Sequence, residues 1–526
     1  MSSEGSPPGA PESRDTASGP SDPRDAYFDV SALRRDMGRR IGNASILILG
    51  ISMMKMVMLF AGIMITARLI PPSEYGIFAL AMPTVAVALS LSNFGLPQAI
   101  VQRRHVTHID ATTLFWMNLA FAVLAALALA GCATLAGRIF DEPRVIPVYR
   151  VIAVSVVFAA VVGQYGAMMR RRLRIPQFEI LILLGEAAGL AVAIVTALMG
   201  WSYWALVAQQ IAAQAATMLL AVIITGWLPS GPHRARPRQV LDALSFGGYV
   251  AGQGILNKLI QYSGTAIAGA QLGPAATGLY TRAVRLGNLP PLRIMQPLSG
   301  TFVPALSRLQ DDPEAMQKMF VRLISRANLI LQPVAVIIAA GADPLVAILL
   351  GPTWMEAAPL LFWMSILTLR ASANQGLRYA VLASGQSKPL FFNSLFRLAL
   401  ISLVVYVASD YGLEAMTAAY MLTELLITLP VAMLLAVRYT PITFNCILRA
   451  SLGGMVFTVA VAAALIVFVN PWLSDLPALV HLAGLGVLTG LIFALRIALS
   501  PEMRQDVLGV LRRVAARLPG GGRAPE

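Results

Sequence analysis

Hydrophobic residues in this chain are grouped into long blocks that are separated by short polar connections. Most blocks reach the roughly 20 residues that an α-helix needs to cross the hydrocarbon core of a bilayer. The pattern predicts an all-α polytopic membrane protein with 14 transmembrane helices. The predicted segments are 46–66, 76–100, 113–136, 148–168, 179–199, 203–225, 244–268, 278–304, 327–350, 357–382, 390–408, 415–437, 448–469 and 477–498.

Charged residues and prolines interrupt some of these blocks at depths that correspond to the hydrocarbon core of the bilayer. The first block carries Lys55 near its middle, and the second contains Pro83 and Pro97. A cation at mid-membrane costs a few kcal/mol, so it normally faces a cavity or a charged partner. Lys258 lies deep in the seventh block, close to the midplane. We therefore predict that Lys55 and Lys258 face one another across a central cavity.

The second part of the chain repeats the order of the first. Residues 72–78 correspond to 274–280 with an offset of 202, and Lys55 corresponds to Lys258 with an offset of 203. The repeat predicts two six-helix halves. Because each half has an even number of helices, both keep the same orientation. Their pseudo-twofold axis is therefore expected along the membrane normal, as in a rocking transporter with its site between the halves.

This repeat divides the chain into six predicted parts. Helices 13 and 14 fall outside the repeat, and both ends of the chain are basic. The N-terminus is rich in Pro, Ser, Gly and Asp, a composition typical of disorder. The parts are a disordered N-terminus at 1–40, the first half at 41–226, a cytoplasmic linker at 227–243, the second half at 244–438, two C-terminal helices at 448–498 and a basic tail at 499–526.

Composition and charge place the chain in a membrane and orient it. Of its 526 residues 57% are hydrophobic and only 13% are charged, whereas soluble domains carry roughly a quarter charged residues. The net charge of +14 lies in short loops and tails, so it does not indicate a nucleic-acid partner. Arginine and lysine are concentrated in the even-numbered connections. The positive-inside rule therefore places both termini in the cytoplasm.

Cations outnumber acids within the predicted helices, which indicates an anionic ligand. Arginine binds phosphate through a planar fork, and lysine acts as a point charge. The seventh segment is also unusually polar along its length, as expected of a helix that borders a hydrated cavity. The residues predicted to bind substrate in a cationic cavity are Lys55, Gln253, Asn257, Lys258, Arg282, Arg285 and Arg293.

Five further intramembrane charges have either a structural or a pathway role in this prediction. Arg370, Arg378 and Arg397 could form structural ion pairs or extend toward the membrane surface. Glu186 and Glu424 are the acids deep within predicted spans. Because the repeat gives helices 5 and 11 equivalent positions, we predict that Glu186 pairs with Arg397.

The sequence contains no pattern that indicates an enzyme, a metal centre or a bound cofactor. There is no P-loop, no nucleophile–base arrangement and no cluster of metal-ligating residues. His105 and His108 have a spacing that could hold a metal, but no acid or cysteine cluster accompanies them. We interpret these two histidines as a solvated pair in a loop.

Several short motifs resemble the polysaccharide transporter branch of the multidrug/oligosaccharidyl-lipid/polysaccharide exporter superfamily, the Wzx-like flippases. The resemblance extends over about 41 to 440, and the order of the motifs is more specific than any one of them. Asn93 departs from the family pattern, which often has an acid there. The strongest match runs from Ala67, Arg68 and Leu69 through Glu74, Tyr75, Gly76, Ile77, Phe78, Ala79 and Leu80, and further matches lie at 94–96, 99–103, 115–118, 171–174 with Phe178, 201–207, 278–283 and 304–308.

This resemblance implies a flippase for surface polysaccharide assembly, including exopolysaccharide, capsule or O-antigen. Its expected substrate is an undecaprenyl-pyrophosphate-linked oligosaccharide, moved by alternating access from the cytoplasmic to the periplasmic leaflet of a bacterial inner membrane. Expected partners are this polyprenyl pyrophosphate lipid, the bilayer, a polymerase and other polysaccharide-assembly proteins. No cofactor is implied.

Three other classes remain open at the level of sequence. A drug antiporter of the same superfamily would need a deep acid, but the first helix contains Lys55 instead. A membrane polymerase or glycosyltransferase would need a larger extracytoplasmic loop or an acidic catalytic pair. A non-transporting scaffold of a polysaccharide synthesis complex would need neither a cavity nor a pathway.

Overall fold

The computed structural model describes residues 23–28, 37–93, 95–103, 105–234, 241–500 and 503–504. Every regular element within these residues is a helix. The remaining parts of the predicted N-terminus, linker and tail lie outside the described residues. We keep the names first half and second half for the parts of the chain before and after the predicted linker at 227–243. The elements before the linker are α1 (Met37–Leu69), α2 (Pro72–Asn93), α3 (Leu96–Gln102), α4 (His108–Gly131), α5 (Ala133–Ile139), α6 (Val145–Arg171), α7 (Ile175–Leu198) and α8 (Tyr203–Thr225).

The second half begins with a 67-residue element that bends back on itself. Gly273 lies at this bend with a φ of 79° and a ψ of −175°, so the element consists of two helical arms. A positive φ favours glycine because other residues clash there. The elements are α9 (Leu241–Ser307), α10 (Pro313–Ala340), α11 (Ala342–Leu349), α12 (Ala358–Ala383), α13 (Ser387–Ser409), α14 (Leu413–Thr423) and α15 (Leu429–Tyr439), followed by α16 (Phe444–Ala464), α17 (Asn470–Leu473) and α18 (Ala478–Leu499).

Eleven helices in the described residues are long and apolar enough to cross a membrane. They account for eleven of the fourteen predicted segments, and together they define a multi-pass membrane protein. The other three predicted segments coincide with the two arms of α9 and with α12. These three helices carry most of the predicted cations, which lowers their hydropathy below that of an ordinary span.

Local sequence signals explain where several helices begin and end. Thr107 accepts a hydrogen bond from the Asp110 backbone, and the Asp110 carboxylate accepts one from the Thr107 backbone, so α4 begins with a capping box. The chain between α14 and α15 forms a π-helical turn at Glu424–Thr428. Pro430 follows this turn and lacks the N–H that a regular α-helix would use. The turn therefore places Glu424 at an irregular point inside the bundle.

The two halves come into backbone contact where α2 meets the bend of α9. A Cβ atom on Gly76 would lie 1.7 Å from the Pro274 carbonyl oxygen, and one on Gly278 would lie 2.0 Å from the Pro72 carbonyl oxygen. Only glycine permits so close an approach. The contacts are reciprocal, because each half supplies a proline and, four residues later, a glycine. Loop charges predict that this end of the bundle is extracytoplasmic.

Part of the N-terminus that the sequence predicts to be disordered is ordered and packs on the first half. Pro23–Tyr27 forms a 3-10 turn, and the Phe28 side chain is buried against Trp227. The Asp25 carboxylate accepts a hydrogen bond from the His108 backbone at 2.6 Å. The prediction of a solvated His108 is also wrong. Its side chain is fully buried, and the ring accepts a hydrogen bond from the Trp227 indole at 3.0 Å.

Candidate functional site

The second half encloses a cavity of about 440 Å³ between α9, α12, α13 and the α14–α15 pair. We call it the amide–arginine cavity, because seven carboxamide and three guanidinium side chains contribute to its wall. Its lining reaches Ser387 at the end of the bundle opposite the Gly76 contact. The carboxamides are Gln253, Asn257, Gln261, Asn288, Asn374, Gln375 and Asn393, and the cations are Arg370, Arg378 and Arg397.

A buried ion triad supports one wall of this cavity. The Arg370 guanidinium lies 2.7 Å from Glu424 Oε2, and Arg397 donates from Nε to Glu424 Oε1 at 2.7 Å. Thr428 also donates to Oε2 at 2.8 Å. Arg370 and Arg397 thus both form structural ion pairs, as predicted, and Glu424 is the partner of each. The predicted Glu186–Arg397 pair is wrong, because the repeat assigns helices 5 and 11 to different halves, whereas Glu424 follows Arg397 in the same half.

Arg370 still has donors that the triad does not use. Its side chain is 5% exposed, and its Nε and Nη1 atoms have no hydrogen-bond partner among the described residues. A buried donor without a partner costs free energy that a bound acceptor can recover. Three guanidinium groups and one carboxylate leave the wall with an excess of two positive charges. The cavity can therefore accept an anionic or hydroxyl-rich ligand.

The first arm of α9 presents its carboxamides, and not Lys258, to the cavity. Gln253, Asn257 and Gln261 recur every four residues and so share one helix face. Lys258 is one residue beyond Asn257, about 100° around the helix. Its Nζ donates to Gln261 Oε1 at 3.3 Å and does not line the cavity. Of the residues predicted to bind substrate, Gln253 and Asn257 therefore line this cavity.

Arg282 lies in the contact between the halves and not in the cavity, which corrects the prediction. It is 2% exposed and donates from Nη2 to Thr66 Oγ1 at 2.9 Å. Its guanidinium lies 4.0 Å from the ring centroid of Tyr75 and 5.5 Å from that of Trp354. Aromatic faces attract a desolvated cation, so this cation stabilises the contact between α1, α2 and α9.

A second group of charges lies between the halves, and we call it the inter-half cluster. Lys55 on α1 donates to Glu179 Oε2 on α7 at 2.6 Å. Glu186, two turns further along α7, interacts electrostatically with Lys55, Arg285 and Arg293. The prediction that Lys55 faces Lys258 is therefore wrong, since Lys55 is held by a carboxylate of its own half.

The second arm of α9 separates the two sites. Val284, Asn288 and Leu292 recur every four residues and line the amide–arginine cavity. Arg285 and Arg293 are each one residue beyond this series, so they are turned away from the cavity and interact with the first half. The single cationic cavity predicted from sequence is therefore two sites that share a helix.

Several cavity residues were not identified from the sequence, although a signal was present. Asn374 lies four residues from each of the predicted charges Arg370 and Arg378, so it shares their face of α12. The same spacing identifies Gln261 in α9. A search for single intramembrane charges does not find these amides, because a neutral polar side chain costs less free energy in a membrane than a charged one.

The fold is shared with solved membrane transporters. The lipid II flippase MurJ in an inward closed conformation matches with a TM-score of 0.59 and 11% identity, over 85% of this chain and 98% of MurJ. An inward-facing multidrug-resistance MATE transporter of the MOP superfamily matches with a TM-score of 0.55 and 14% identity, over 80% of this chain and 99% of that one. The architecture is therefore that of a MurJ- and MATE-like transporter.

Sequence comparison identifies the family. A model described as polysaccharide biosynthesis protein matches residues 65–359, and this chain belongs to that family. The lipopolysaccharide biosynthesis protein WzxC of Escherichia coli K12 is 22% identical over 73% of this chain and 77% of its own length. The succinoglycan biosynthesis transport protein ExoT of Rhizobium meliloti 1021 is 24% identical over 68% of this chain and 72% of its own length. The family predicted from sequence motifs is confirmed.

Proposed function

We propose that this protein is a flippase for surface polysaccharide assembly. It moves an oligosaccharide repeat unit, linked to undecaprenyl pyrophosphate, from the cytoplasmic to the periplasmic leaflet of a bacterial inner membrane. Family membership and the names of WzxC and ExoT support the pathway, and the fold shared with MurJ and MATE proteins supports a transport role.

The amide–arginine cavity is the observation that carries this proposal. Carboxamides donate and accept hydrogen bonds, as the hydroxyls of a sugar require. Guanidinium groups bind phosphate and carboxylate. A volume of about 440 Å³ lies within the range of small-molecule sites, so the cavity can hold part of an oligosaccharide while the lipid chain stays in the bilayer.

We assign the inter-half cluster to the pyrophosphate of the substrate. Arg285 and Arg293 are exposed, and both lie on the arm of α9 that borders the amide–arginine cavity. Bare hydrocarbon would strongly disfavour the pyrophosphate, and cations offset that cost. Glu186 lies in the electrostatic field of the same cations without a close ion pair to them, so Arg285 and Arg293 can bind the pyrophosphate.

The membrane topology in this proposal has fourteen crossings and two cytoplasmic termini. The eleven apolar spans, the two arms of α9 and α12 together make fourteen helices of suitable length. The reciprocal Gly76–Pro274 and Gly278–Pro72 contacts support two halves related by a pseudo-twofold axis. Alternating access then requires these contacts to separate, so that the extracytoplasmic end can open.

The alternative of a drug antiporter is less compatible with the charges of the cavity. Glu424 is enclosed by two guanidinium groups and cannot attract a cationic drug. A scaffold would not need buried arginine donors that lack partners. Both alternatives make different predictions for transport by the purified protein.

The experiment uses proteoliposomes that contain the full chain and a fluorescent short-chain polyprenyl-pyrophosphate oligosaccharide. Movement between leaflets is followed with a membrane-impermeant quencher. We expect the lipid-linked sugar to cross the membrane only in vesicles that contain the protein. A cationic dye should not cross the membrane of the same vesicles. Transport of the dye alone would support an antiporter, and transport of neither compound would support a scaffold.

A further inference from the structure

A second pocket lies between α10, α16 and α18, where the two C-terminal helices pack on the second half. It has a volume of about 60 Å³ and contains two arginines, Arg449 and Arg496. None of the described residues that line it is acidic. We propose that this pocket binds the phosphate group of an anionic membrane phospholipid.

A buried amide gives the pocket a donor that has no partner. Gln332 is 3% exposed, and Arg496 donates from Nη1 to Gln332 Oε1 at 2.9 Å. Because arginine can only donate, this bond fixes the amide oxygen toward Arg496 and the amide nitrogen away from it. Gln332 Nε2 then has no hydrogen-bond partner among the described residues. A phosphate oxygen is an acceptor of the required kind.

Neighbouring residues hold the Gln332 amide and the Arg496 guanidinium in place. A Cβ atom on Gly454 would lie 2.2 Å from Gln332 Nε2, so a larger residue at this position would displace the amide. The Arg496 guanidinium lies 4.3 Å from the ring centroid of Phe457, which holds it beside the amide. The Gln332 amide and the Arg496 guanidinium are therefore positioned by the fold.

The depth of the pocket and its surroundings favour a lipid over a soluble anion. Arg449 lies near the start of α16 and Arg496 near the end of α18, at the membrane side that loop charges predict to be cytoplasmic. Basic pockets at this depth bind anionic head groups. Leu452 and Val456 on α16 and Leu495 on α18 are exposed, and they offer an apolar surface for acyl chains. The small volume suits a phosphate and excludes an oligosaccharide.

The test measures thermal unfolding and native mass spectra of the purified full chain with added lipid. We expect phosphatidylglycerol to raise the unfolding temperature and to remain bound, whereas phosphatidylcholine does neither. Arg449→Gln should weaken phosphatidylglycerol binding about fivefold, the contribution of one cation near a membrane surface. Arg449 is exposed, so this change should leave folding intact. Gln332→Leu removes the amide donor and should weaken binding further.

Arg438→Gln is the matched control, because Arg438 is an exposed arginine on the same predicted side that does not line the pocket. It should bind phosphatidylglycerol like the wild type. Equal binding by Arg449→Gln and the wild type would overturn the proposal. A full effect of inorganic phosphate alone would overturn the assignment to a lipid.

Discussion

Glu424 is the residue on which the charge balance of the second half depends. It is fully buried and contacts two guanidinium groups, Arg370 and Arg397. Removing one partner from a buried ion pair is strongly destabilising, because an uncompensated charge remains inside. The single acid therefore makes it possible to keep two arginines beside the amide–arginine cavity.

The first prediction concerns this residue. Glu424→Gln should destabilise the protein by about 3–5 kcal/mol, because both arginines lose their counter-charge. The measurement is the unfolding temperature of the purified protein. Glu414→Gln, at an exposed acid in the first turn of the same span, should have little effect. Adding Arg397→Gln to Glu424→Gln should restore part of the loss, and an unchanged unfolding temperature in Glu424→Gln would contradict this role.

The charged residues of the site could be identified from the sequence, but their ion-pair partners could not. Arg370, Arg397 and Glu424 were recognisable as intramembrane charges, whereas the pairing of Arg397 with Glu424 depends on how α13 packs against α14. The depth of Lys258 within its predicted helix follows from the sequence, and this depth led to the prediction that it lines the cavity. Its direction around the helix depends on which face of α9 is buried, and a single charge does not give that direction.

At the level of elements, the α2–α9 contact brings the backbones of the two halves together at one end of the bundle. Gly76 and Gly278 allow the two backbones to touch, and Arg282 fills the space beside them between Thr66 and Tyr75. The repeat in sequence identified both glycines as equivalent. It could not reveal that each glycine packs on the proline of the other half.

The second prediction is that Gly76→Ala opens this end. The added methyl group would overlap the Pro274 carbonyl, so the halves must separate. We expect faster labelling of Thr66→Cys by a membrane-impermeant maleimide, in a background in which the exposed Cys132 is replaced by Ser. Gly453→Ala is the control, since no atom lies within 4 Å of the added carbon. Equal labelling in both variants would show that the contact does not close the route.

For the whole molecule, the helix pattern was the part best predicted from sequence. Eleven of the predicted segments are apolar spans in the described residues, and the other three are helices whose polarity reflects the site they carry. The hydrophobic pattern predicts these helices because a segment that crosses the hydrocarbon core must be apolar on the surface that faces lipid. The division of charges between two sites arises from packing between helices, which hydrophobicity does not encode.

The third prediction concerns topology. Reporter fusions after residues 233, 310 and 386 should report the cytoplasm, and fusions after 141, 200 and 410 should report the periplasm. The expectation follows from fourteen crossings and the positions of the basic loops. Residues 200 and 410 follow the fifth helix of each half, so fusions at these two positions on opposite sides of the membrane would exclude two halves of equal orientation.

The central claim is that the amide–arginine cavity holds the polar part of a lipid-linked oligosaccharide during transport. The most direct measurement compares initial flipping rates of Arg378→Gln and Arg438→Gln in proteoliposomes. Both arginines are exposed near the predicted cytoplasmic side, but only Arg378 lines the cavity. Loss of a hydrogen bond to a charged group costs about 1.5–3 kcal/mol, so Arg378→Gln should slow flipping about tenfold or more. Arg438→Gln should flip like the wild type, and equal rates in both variants would contradict the claim.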